Sequence, residues 1–355
     1  MRSSSATGVS STQSATDWIA SLSPWPEEFG LGRMLALLDA LGNPQRAFPS
    51  IHVVGTNGKS TATRTIAALL RSDGLDVGAY TSPHVSGWHE RLDTDPESFE
   101  RALATVRAAA EVANATQFEA LTAAALVRFA ERGVDAAVIE AGLGGRLDAT
   151  NVVDARVVLL TNIGLEHTDV LGDTREQIAR EKLAVANPSA TVVLPDDEWR
   201  DLVAGHEVRL GGAREAAEAF VEHPIETQAE VELPGRLERR GPDEIRDGAH
   251  TPEAVDWLLE QLEPRDWTIV ASILHDKDVE GMLDRLGHAG PRLVATRSSN
   301  PRALDERELA ARAEPYFEHV EAIADPVRAL ERARALGPVL VTGSLYLLAD
   351  LHASE

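Results

Sequence analysis

The sequence predicts an α/β protein of two domains: a doubly wound N-terminal domain built around a P-loop, followed by a smaller Rossmann-like α/β domain. Three observations predict it. The run Ile51-His52-Val53-Val54 reads as a buried parallel strand, turns through Gly55 and Gly58 into a helix over 60–71, and returns as a strand over 77–80, which is a βαβ unit. Helical and strand patterns then alternate along most of the remaining chain. At 355 residues the chain is long enough for two separate cores.

Residues 1–16 are rich in Ser, Thr and Ala without an apolar core, so they read as a disordered tail and not as a signal peptide. The spacing of Trp18, Ile19 and Leu22, and then of Leu31, Met34, Leu35 and Leu38, predicts two short helices. Beyond the βαβ unit, 97–113 and 119–132 read as alanine-rich amphipathic helices, and 136–140 and 155–161 as buried strands. The region 188–245 is acidic and punctuated by Pro188, Pro195, Pro224, Pro234 and Pro242, so it reads as less regular. The boundary is placed at Pro234-Gly235-Arg236, giving domains over 17–234 and 235–355. In the second domain strands are predicted at 268–273, 292–296, 317–322 and 338–342, with helices at 252–262, 278–286, 303–313 and 326–335. The chain shows no internal repeat.

Composition narrows the function. The net charge of −23 argues against nucleic acid or an anionic membrane surface as the main partner, so the expected ligands are small molecules. An anionic substrate would have to be drawn in by local features such as a helix N-terminus, a metal ion or a few arginines. The absence of cysteine excludes disulfides, thiolate catalysis and cysteine zinc sites. No apolar run is long enough to span a membrane. A cytoplasmic monomer is the expectation.

The segment Gly55-Thr56-Asn57-Gly58-Lys59-Ser60-Thr61 lies between strand and helix, as a phosphate-cradling loop requires. Backbone N–H groups at the helix N-terminus hold anionic oxygen, Lys59 reaches the terminal phosphates, and a hydroxyl from Ser60 or Thr61 can ligate Mg²⁺. The loop is shorter than the common Walker pattern, which wants glycine where Val53 stands. A plain glycine-rich turn capped by Ser60 is the ordinary alternative; strand, helix, lysine and hydroxyl together favour nucleotide. Glu140 ends a buried strand, where its carboxylate can reach Mg²⁺ at the carboxyl edge of the sheet.

Only three of the 34 basic residues are lysines: Lys59, Lys182 and Lys277. Each lies in a motif-like stretch, the latter two in Arg180-Glu181-Lys182 and His275-Asp276-Lys277-Asp278. Unlike guanidinium, an amine can lose its proton and become carbamylated.

These strings resemble those of folylpolyglutamate synthase/dihydrofolate synthase, a branch of the Mur-type amino-acid ligases. The similarity includes Gly55–Thr61, Ser82-Pro83-His84 with Glu90-Arg91, and Phe118-Glu119-Ala120-Leu121-Thr122. It continues through Glu140-Ala141-Gly142-Leu143-Gly144-Gly145-Arg146-Leu147-Asp148-Ala149-Thr150-Asn151, which is highly specific to this branch, and Glu166-His167-Thr168-Asp169. In the second domain it covers Leu233-Pro234-Gly235-Arg236, Asp247-Gly248-Ala249-His250, the His275–Asp278 string and Gly343-Ser344-Leu345-Tyr346.

The resemblance implies a Mur ligase-like fold and ATP-dependent joining of glutamate to dihydropteroate, reduced folate or both, through an acyl phosphate. It implies that Thr61, Glu140, His167 and a carbamylated Lys182 hold one or two Mg²⁺ ions, with Glu140, His167 and Lys182 as the catalytic set. Whether a monovalent cation takes part is left open. Arg236, Asp247 and His250 would join residues 55–61 on ATP. Thr116, Phe118, Asp148 and Ala149 match the family's pterin pocket, and Phe118 offers a ring for stacking on the heterocycle. Ser82, Pro83, His84 and Arg91 belong to the substrate loop. Lys277, which its local pattern explains poorly, is expected in a glutamate-side or interdomain role, with an interdomain salt bridge as the ordinary alternative.

Two departures stand out. Thr251 follows the Asp-x-Ala-His string where the family has Asn, and only 53 residues separate Lys182 from Arg236. The segment 212–219 reads as the remnant of a longer helical region. Two other functions are therefore carried forward: a nucleotide-binding relative without ligase activity, and a ligase of this fold acting on another acid.

Overall fold

In the computed structural model, residues 14–229 and 231–355 are described, and they form two compact units. The first comprises residues up to Ser82 together with Arg91–Thr227, and the second Pro83–Glu90 with Gln228–Glu355. This division falls at Thr227/Gln228, seven residues before the Pro234 boundary read from sequence, and it assigns an eight-residue excursion of the N-terminal half to the second unit.

The first unit opens with α1 (Ala15–Ser21) and α2 (Gly32–Ala40). Residues 14–16, read from sequence as disordered tail, are ordered. Ser14 caps α1 by accepting from Asp17 N, and Glu100 accepts from Ala15 N and Thr16 N. Residues 1–13 lie outside the described residues. Then follow β1 (Ser50–Val54), α3 (Lys59–Ser72), β2 (Val77–Tyr80), α4 (Pro96–Val112) and α5 (Gln117–Arg132). Asp95 caps α4 ahead of Pro96. Thr116 and Glu119 close a reciprocal capping box on α5, a motif in which the cap alone contributes about 1 kcal/mol. After β3 (Ala136–Glu140) and β4 (Ala155–Leu160) come α6 (Thr168–Leu171), α7 (Arg175–Leu183), β5 (Thr191–Leu194), β6 (Glu207–Leu210) and α8 (Ala213–Val221).

The six strands make one parallel sheet in the order β2-β3-β1-β4-β5-β6. The β1, β2 and β3 strands are buried at every position, as their mainly apolar composition requires in a sheet covered on both faces. The two outer strands correct the reading of 188–245 as irregular. β6 is an edge strand whose end residues are exposed, so it lacks the apolar run that marks its neighbours. α8 includes most of the predicted remnant at 212–219.

The chain runs from β1 to β2 on one side and returns through β3, whereas β4, β5 and β6 extend the other side. The direction therefore reverses beside β1, the place where open parallel sheets bind ligands at their carboxyl ends.

The second unit contains β7 (Glu238–Arg239), β8 (Glu244–Arg246), α9 (Pro252–Glu260), β9 (Thr268–Ala271), α10 (Val279–Leu286), β10 (Arg292–Ala295), α11 (Glu306–Ala313), β11 (His319–Ala322), α12 (Pro326–Arg334), β12 (Val339–Thr342) and α13 (Leu345–His352). Its sheet runs β11-β10-β9-β12-β8-β7, parallel except for the short β7–β8 hairpin. One face packs Val255, Leu258, Met282, Leu283 and Leu309 around Trp267. The other packs Leu330, Leu347, Leu348 and Leu351, with Val85 from the excursion among them.

Candidate active site

The first site is built where β1 gives way to α3. Gly58 is the N-cap of α3 in a left-handed conformation, and no side chain caps the helix. The first-turn N–H groups of a 14-residue helix are thus left to an external anion. Gly55 has φ +146°, and an added Cβ would collide with Thr161 Oγ1. Only glycine fits there.

The loop is braced by the segment after β4, separated from it by more than a hundred residues. Thr56 N donates to Asn162 O at 3.0 Å and Asn57 N to Asn162 Oδ1 at 2.8 Å. Thr161 Oγ1 donates to Asn57 O at 2.7 Å, and Gly164 N donates to Thr56 Oγ1 at 3.0 Å.

Two of the three lysines converge on this loop. Lys59 Nζ donates to Gly55 O and Thr56 O, both at 3.0 Å, and Lys182 Nζ, buried on α7, donates to the same Gly55 O at 2.9 Å. Lys182 also pairs with Glu166 Oε1 at 2.8 Å. Burial, and then the nearby Lys59 charge, push the Lys182 amine below its ordinary pKa, with Glu166 opposing. Burial alone would raise the Glu166 carboxyl, but Lys59 and Lys182 outweigh it and hold it below the usual range.

Sequence alone gives Glu166 no role. The available signal was a carboxylate just beyond a buried strand and one residue before His167. Thr161, Asn162 and Gly164 were missed too, being polar loop residues that no motif marks.

Glu140 lies level with Val53 of β1, at the carboxyl edge of the sheet. Its Oε1 is 3.0 Å from Ser60 Oγ, and its Oε2 accepts from Ser82 N at 2.9 Å. Of the two candidate hydroxyls, the one that meets Glu140 belongs to Ser60; Thr61, next along the first turn, is exposed. His167 is exposed, with φ +47° at the start of α6, and its charge reaches Glu166.

The glycine-rich run after Glu140 lies against α7. A Cβ on Gly145 would sit 2.5 Å from Lys182 O, and Arg146 N donates to Glu181 O at 3.0 Å. A Cβ on Gly142 would stand 2.5 Å from Phe118 Cζ, so the half-buried Phe118 ring rests on bare backbone. Asp148 is buried and accepts from Leu143 N at 2.7 Å, Thr150 N at 2.9 Å and the Thr150 hydroxyl. Burial raises its pKa while these donors oppose the rise.

Ala149 is buried beside it, and Thr116 spends its hydroxyl on Glu119 N. Arg91 O accepts from Thr81 N at 2.9 Å, and the Arg91 charge reaches the Tyr80 hydroxyl. The structure therefore gathers residues 55–61, Glu140, Ser82, Lys182 and Glu166 around the phosphate loop, with Phe118, Asp148 and Ala149 along the glycine-rich run.

Pro83 and His84 fall in the excursion grouped with the second unit. There the His84 and Trp88 rings lie 4.4 Å apart, and Glu90 Oε2 accepts from Val85 N and Ser86 N. In the same unit Arg236, Asp247 and His250 form one cluster. Asp247 accepts from Leu237 N and Ala249 N, both at 2.8 Å, and burial raises its pKa. Arg236 Nη1 donates to Gly235 O and lies against Gly248. His250 Nδ1 donates to Gly248 O at 2.8 Å. Thr251 caps α9 by accepting from Ala254 N, a task that asparagine performs equally well. Lys277 is half-buried and pairs with no carboxylate among the described residues.

The oxygen donors at the phosphate loop fit a magnesium ion. No three His, Cys, Asp or Glu side chains among the described residues are grouped as a complete metal cage. Mg²⁺ seldom uses one: it typically takes one or two carboxylates and completes its shell with phosphate oxygens and water. Glu140 beside a first-turn hydroxyl meets that requirement.

A parallel sheet presenting an uncapped helix N-terminus, a strand-end carboxylate and a buried lysine at one edge defines a P-loop nucleotide-binding protein with a second α/β unit. The chain belongs to the folylpolyglutamate synthase/dihydrofolate synthase branch of the Mur ligases. The Mur ligase middle domain matches residues 53–230, and the Mur ligase glutamate ligase domain matches residues 235–345.

Folylpolyglutamate synthase of Lacticaseibacillus casei is 34% identical over 396 aligned positions, covering 89% of this chain and 92% of that protein. The alignment is longer than this whole chain, so the relative carries segments absent here. The structure of E. coli FolC in complex with DHPP and ADP superposes with a TM-score of 0.87 at 26% identity, covering 97% of this chain and 98% of that one. The bifunctional folylpolyglutamate synthase/dihydrofolate synthase of Yersinia pestis, complexed with AMPPNP and a Mn ion, gives 0.84 at 27% identity, covering 97% and 98%. No helix among the described residues is long and apolar enough to cross a membrane.

Proposed function

We propose that this chain uses ATP to join the amine of glutamate to the carboxylate of a pterin acid, dihydropteroate or a reduced folate. The observation that carries the reading is the meeting of Lys59 and Lys182 on the Gly55 carbonyl, beside Glu166 and next to the Glu140–Ser60 pair. Amide formation from a carboxylate in water is uphill, so the carboxylate first takes the γ-phosphoryl of ATP, and the glutamate amine then displaces phosphate from the acyl phosphate. Phosphoryl transfer depends chiefly on positioning and charge neutralisation. The first turn of α3 and Lys59 hold the phosphates. Glu140 with the hydroxyls of Ser60 and Thr61, and His167 at the rim, would hold Mg²⁺, which supplies charge neutralisation when bound.

Lys182 is the residue we assign to carbamylation. Burial and the Lys59 charge disfavour its protonated form, and a neutral amine is what attacks CO₂. The N–C bond forms, one proton leaves, and the side chain becomes an anionic oxygen donor. Asp148 accepts from Leu143 N and from the amide and hydroxyl of Thr150, and Gly142 N also lowers its pKa as a donor. With Phe118, whose ring rests on the backbone these bonds hold, Asp148 is assigned to the pterin ring. Arg236, Asp247 and His250 are assigned to the nucleotide, and Ser82, Pro83, His84, Arg91, Thr116 and Ala149 to the pterin acid. Lys277 is assigned to glutamate.

The test is ADP release by the purified chain with Mg²⁺-ATP and glutamate, adding dihydropteroate or tetrahydrofolate in separate reactions. Release that requires both glutamate and one pterin acid is the expected result. ATP binding without release in either reaction would favour a relative without ligase activity, the reading that the segments absent from this chain support.

A further inference from the structure

The middle strand of the first sheet carries an imidazole at its centre. His52 is fully buried, in register with Ile139 of β3 and Val158 of β4. A polar ring in an apolar sheet costs free energy unless it is hydrogen-bonded. Its Nε2 lies 2.8 Å from Thr150 Oγ1, and the Thr150 hydroxyl meets Asp148 Oδ1. Ring, hydroxyl and carboxylate thus form a buried chain. It runs from β1 to the glycine-rich segment, where Asp148 also holds Leu143 N.

Proton counting gives the chain its direction. Nδ1 of His52 is buried without a partner among the described residues. A proton on Nδ1 would be an orphaned buried N–H, whereas a proton on Nε2 leaves only a lone pair unmatched, the less costly defect. Nε2–H therefore donates to Thr150 Oγ1, and the Thr150 hydroxyl donates to Asp148 Oδ1. With Thr150 N and Leu143 N also donating, both carboxylate oxygens are fixed in direction. Gly142 N is a further donor to the same carboxylate, so the chain that begins at His52 ends on the backbone against which the Phe118 ring lies.

We propose that His52 is a positioning residue for the pterin subsite, acting through Thr150 to hold the Asp148 carboxylate and, with it, the glycine-rich backbone on which Phe118 rests. The proposal rests on the assignment of Asp148 to the pterin acid. The substitution His52→Met keeps bulk and removes the donor, leaving Thr150 free to turn its hydroxyl away from the carboxylate. The KM for the pterin acid is then expected to rise about three- to tenfold, the worth of one net hydrogen bond, with kcat and the KM for ATP little changed. His52→Gln, which keeps an N–H at that end, regains part of the affinity, and Thr150→Val reproduces the loss.

Steady-state ADP release by the full chain, with each substrate varied in turn, reads the outcome. Asp148→Asn is measured alongside. If it leaves the pterin KM unchanged, the pterin assignment itself falls. If it raises that KM and His52→Met does not, the positioning role alone is overturned. A His52→Met chain that loses kcat and affinity for ATP in step also overturns it, because that is the signature of general damage. Should His52→Met not fold, Thr150→Val decides by the same comparison.

Discussion

Substituting His52 should flatten the acid limb of the stability curve. Burial holds its pKa down at about 4, from an ordinary 6.5. The unfolded chain therefore binds a proton here at a pH where the folded chain refuses one. Stability is fully present above pH 6.5 and is lost as pH falls toward 4, because the unfolded state binds more protons throughout that window. Between pH 7 and 4.5 this one group should remove about 2 kcal/mol, from a shift of about 2.5 units at 1.36 kcal/mol each, less the part lying outside the window.

In His52→Met that contribution is absent. The variant starts lower at pH 7 by about 1 kcal/mol for the lost hydrogen bond, and its deficit should vanish or reverse by pH 4.5. Urea denaturation at both pH values, read by hydrogen exchange of peptides from β1 and β3, measures the difference directly. Carboxylates away from the His52–Thr150–Asp148 chain titrate in both proteins alike and cancel, and Thr150→Val measured alongside isolates the Asp148 part. Equal losses in wild type and variant would refute the burial argument.

Gly55→Ala should weaken ADP binding by tenfold or more in a calorimetric titration: φ +146° disfavours any side chain, and the new methyl meets Thr161 Oγ1, a strain of about 1–3 kcal/mol. Binding within twofold of wild type would count against the loop geometry. Lys182→Ala should lower ligation by about a hundredfold or more, the scale of losing one charge-stabilising group, while ADP still binds; turnover equal to wild type would sink the metal-site assignment. Glu244→Gln removes the charge that Arg246 Nε meets at 2.7 Å, and both side chains are almost wholly buried. Breaking such a pair typically costs about 3 kcal/mol, so the thermal transition of the second unit should fall by several degrees. An unchanged transition would mean that Glu355, the other partner of Arg246, compensates.

The strands that were legible in the sequence are those buried on both faces. Ala136–Ile139, and Ile51–Val54 but for His52, carry the apolar runs that a covered parallel sheet needs. β6 was not legible because its outer positions face solvent and its Glu207 and Arg209 read as loop. β5 was lost among prolines, and the β7–β8 hairpin is too short to leave a period. α13 was missed although Leu347, Leu348 and Leu351 are buried in it; its first residues had been read only as a motif.

At the site the phosphate loop was visible because its chemistry is local in sequence. Glu166, Asn162 and Thr161 were not, because each acts through a contact that only the folded sheet creates. His52 was hidden in a different way, since one polar residue in a strand reads as noise until the partner 98 positions away is known.

The distribution of lysine now has a physical reason. Exposed pairs such as Arg312–Glu280 and Arg332–Glu321 are made with arginine, whose fork suits a carboxylate and whose charge is permanent. For Lys182, under the proposed carbamylation, permanence would be a fault. At the Gly55 carbonyl two amines meet, and burial, with the Lys59 charge after it, raises the cost of a charge on Lys182. Glu166 offsets part of that cost.

Conversion of Lys182 to an anion would relieve the clash between the two lysines and create a new one with Glu166. The carboxylate would then have to turn toward Lys59 or take up a cation. Arginine at position 182 could not make that exchange, since it neither loses its proton nor forms a carbamate under these conditions. The meeting of two of the three lysines at one carbonyl thus fits the proposed carbamylation, which requires at position 182 an amine able to give up its charge.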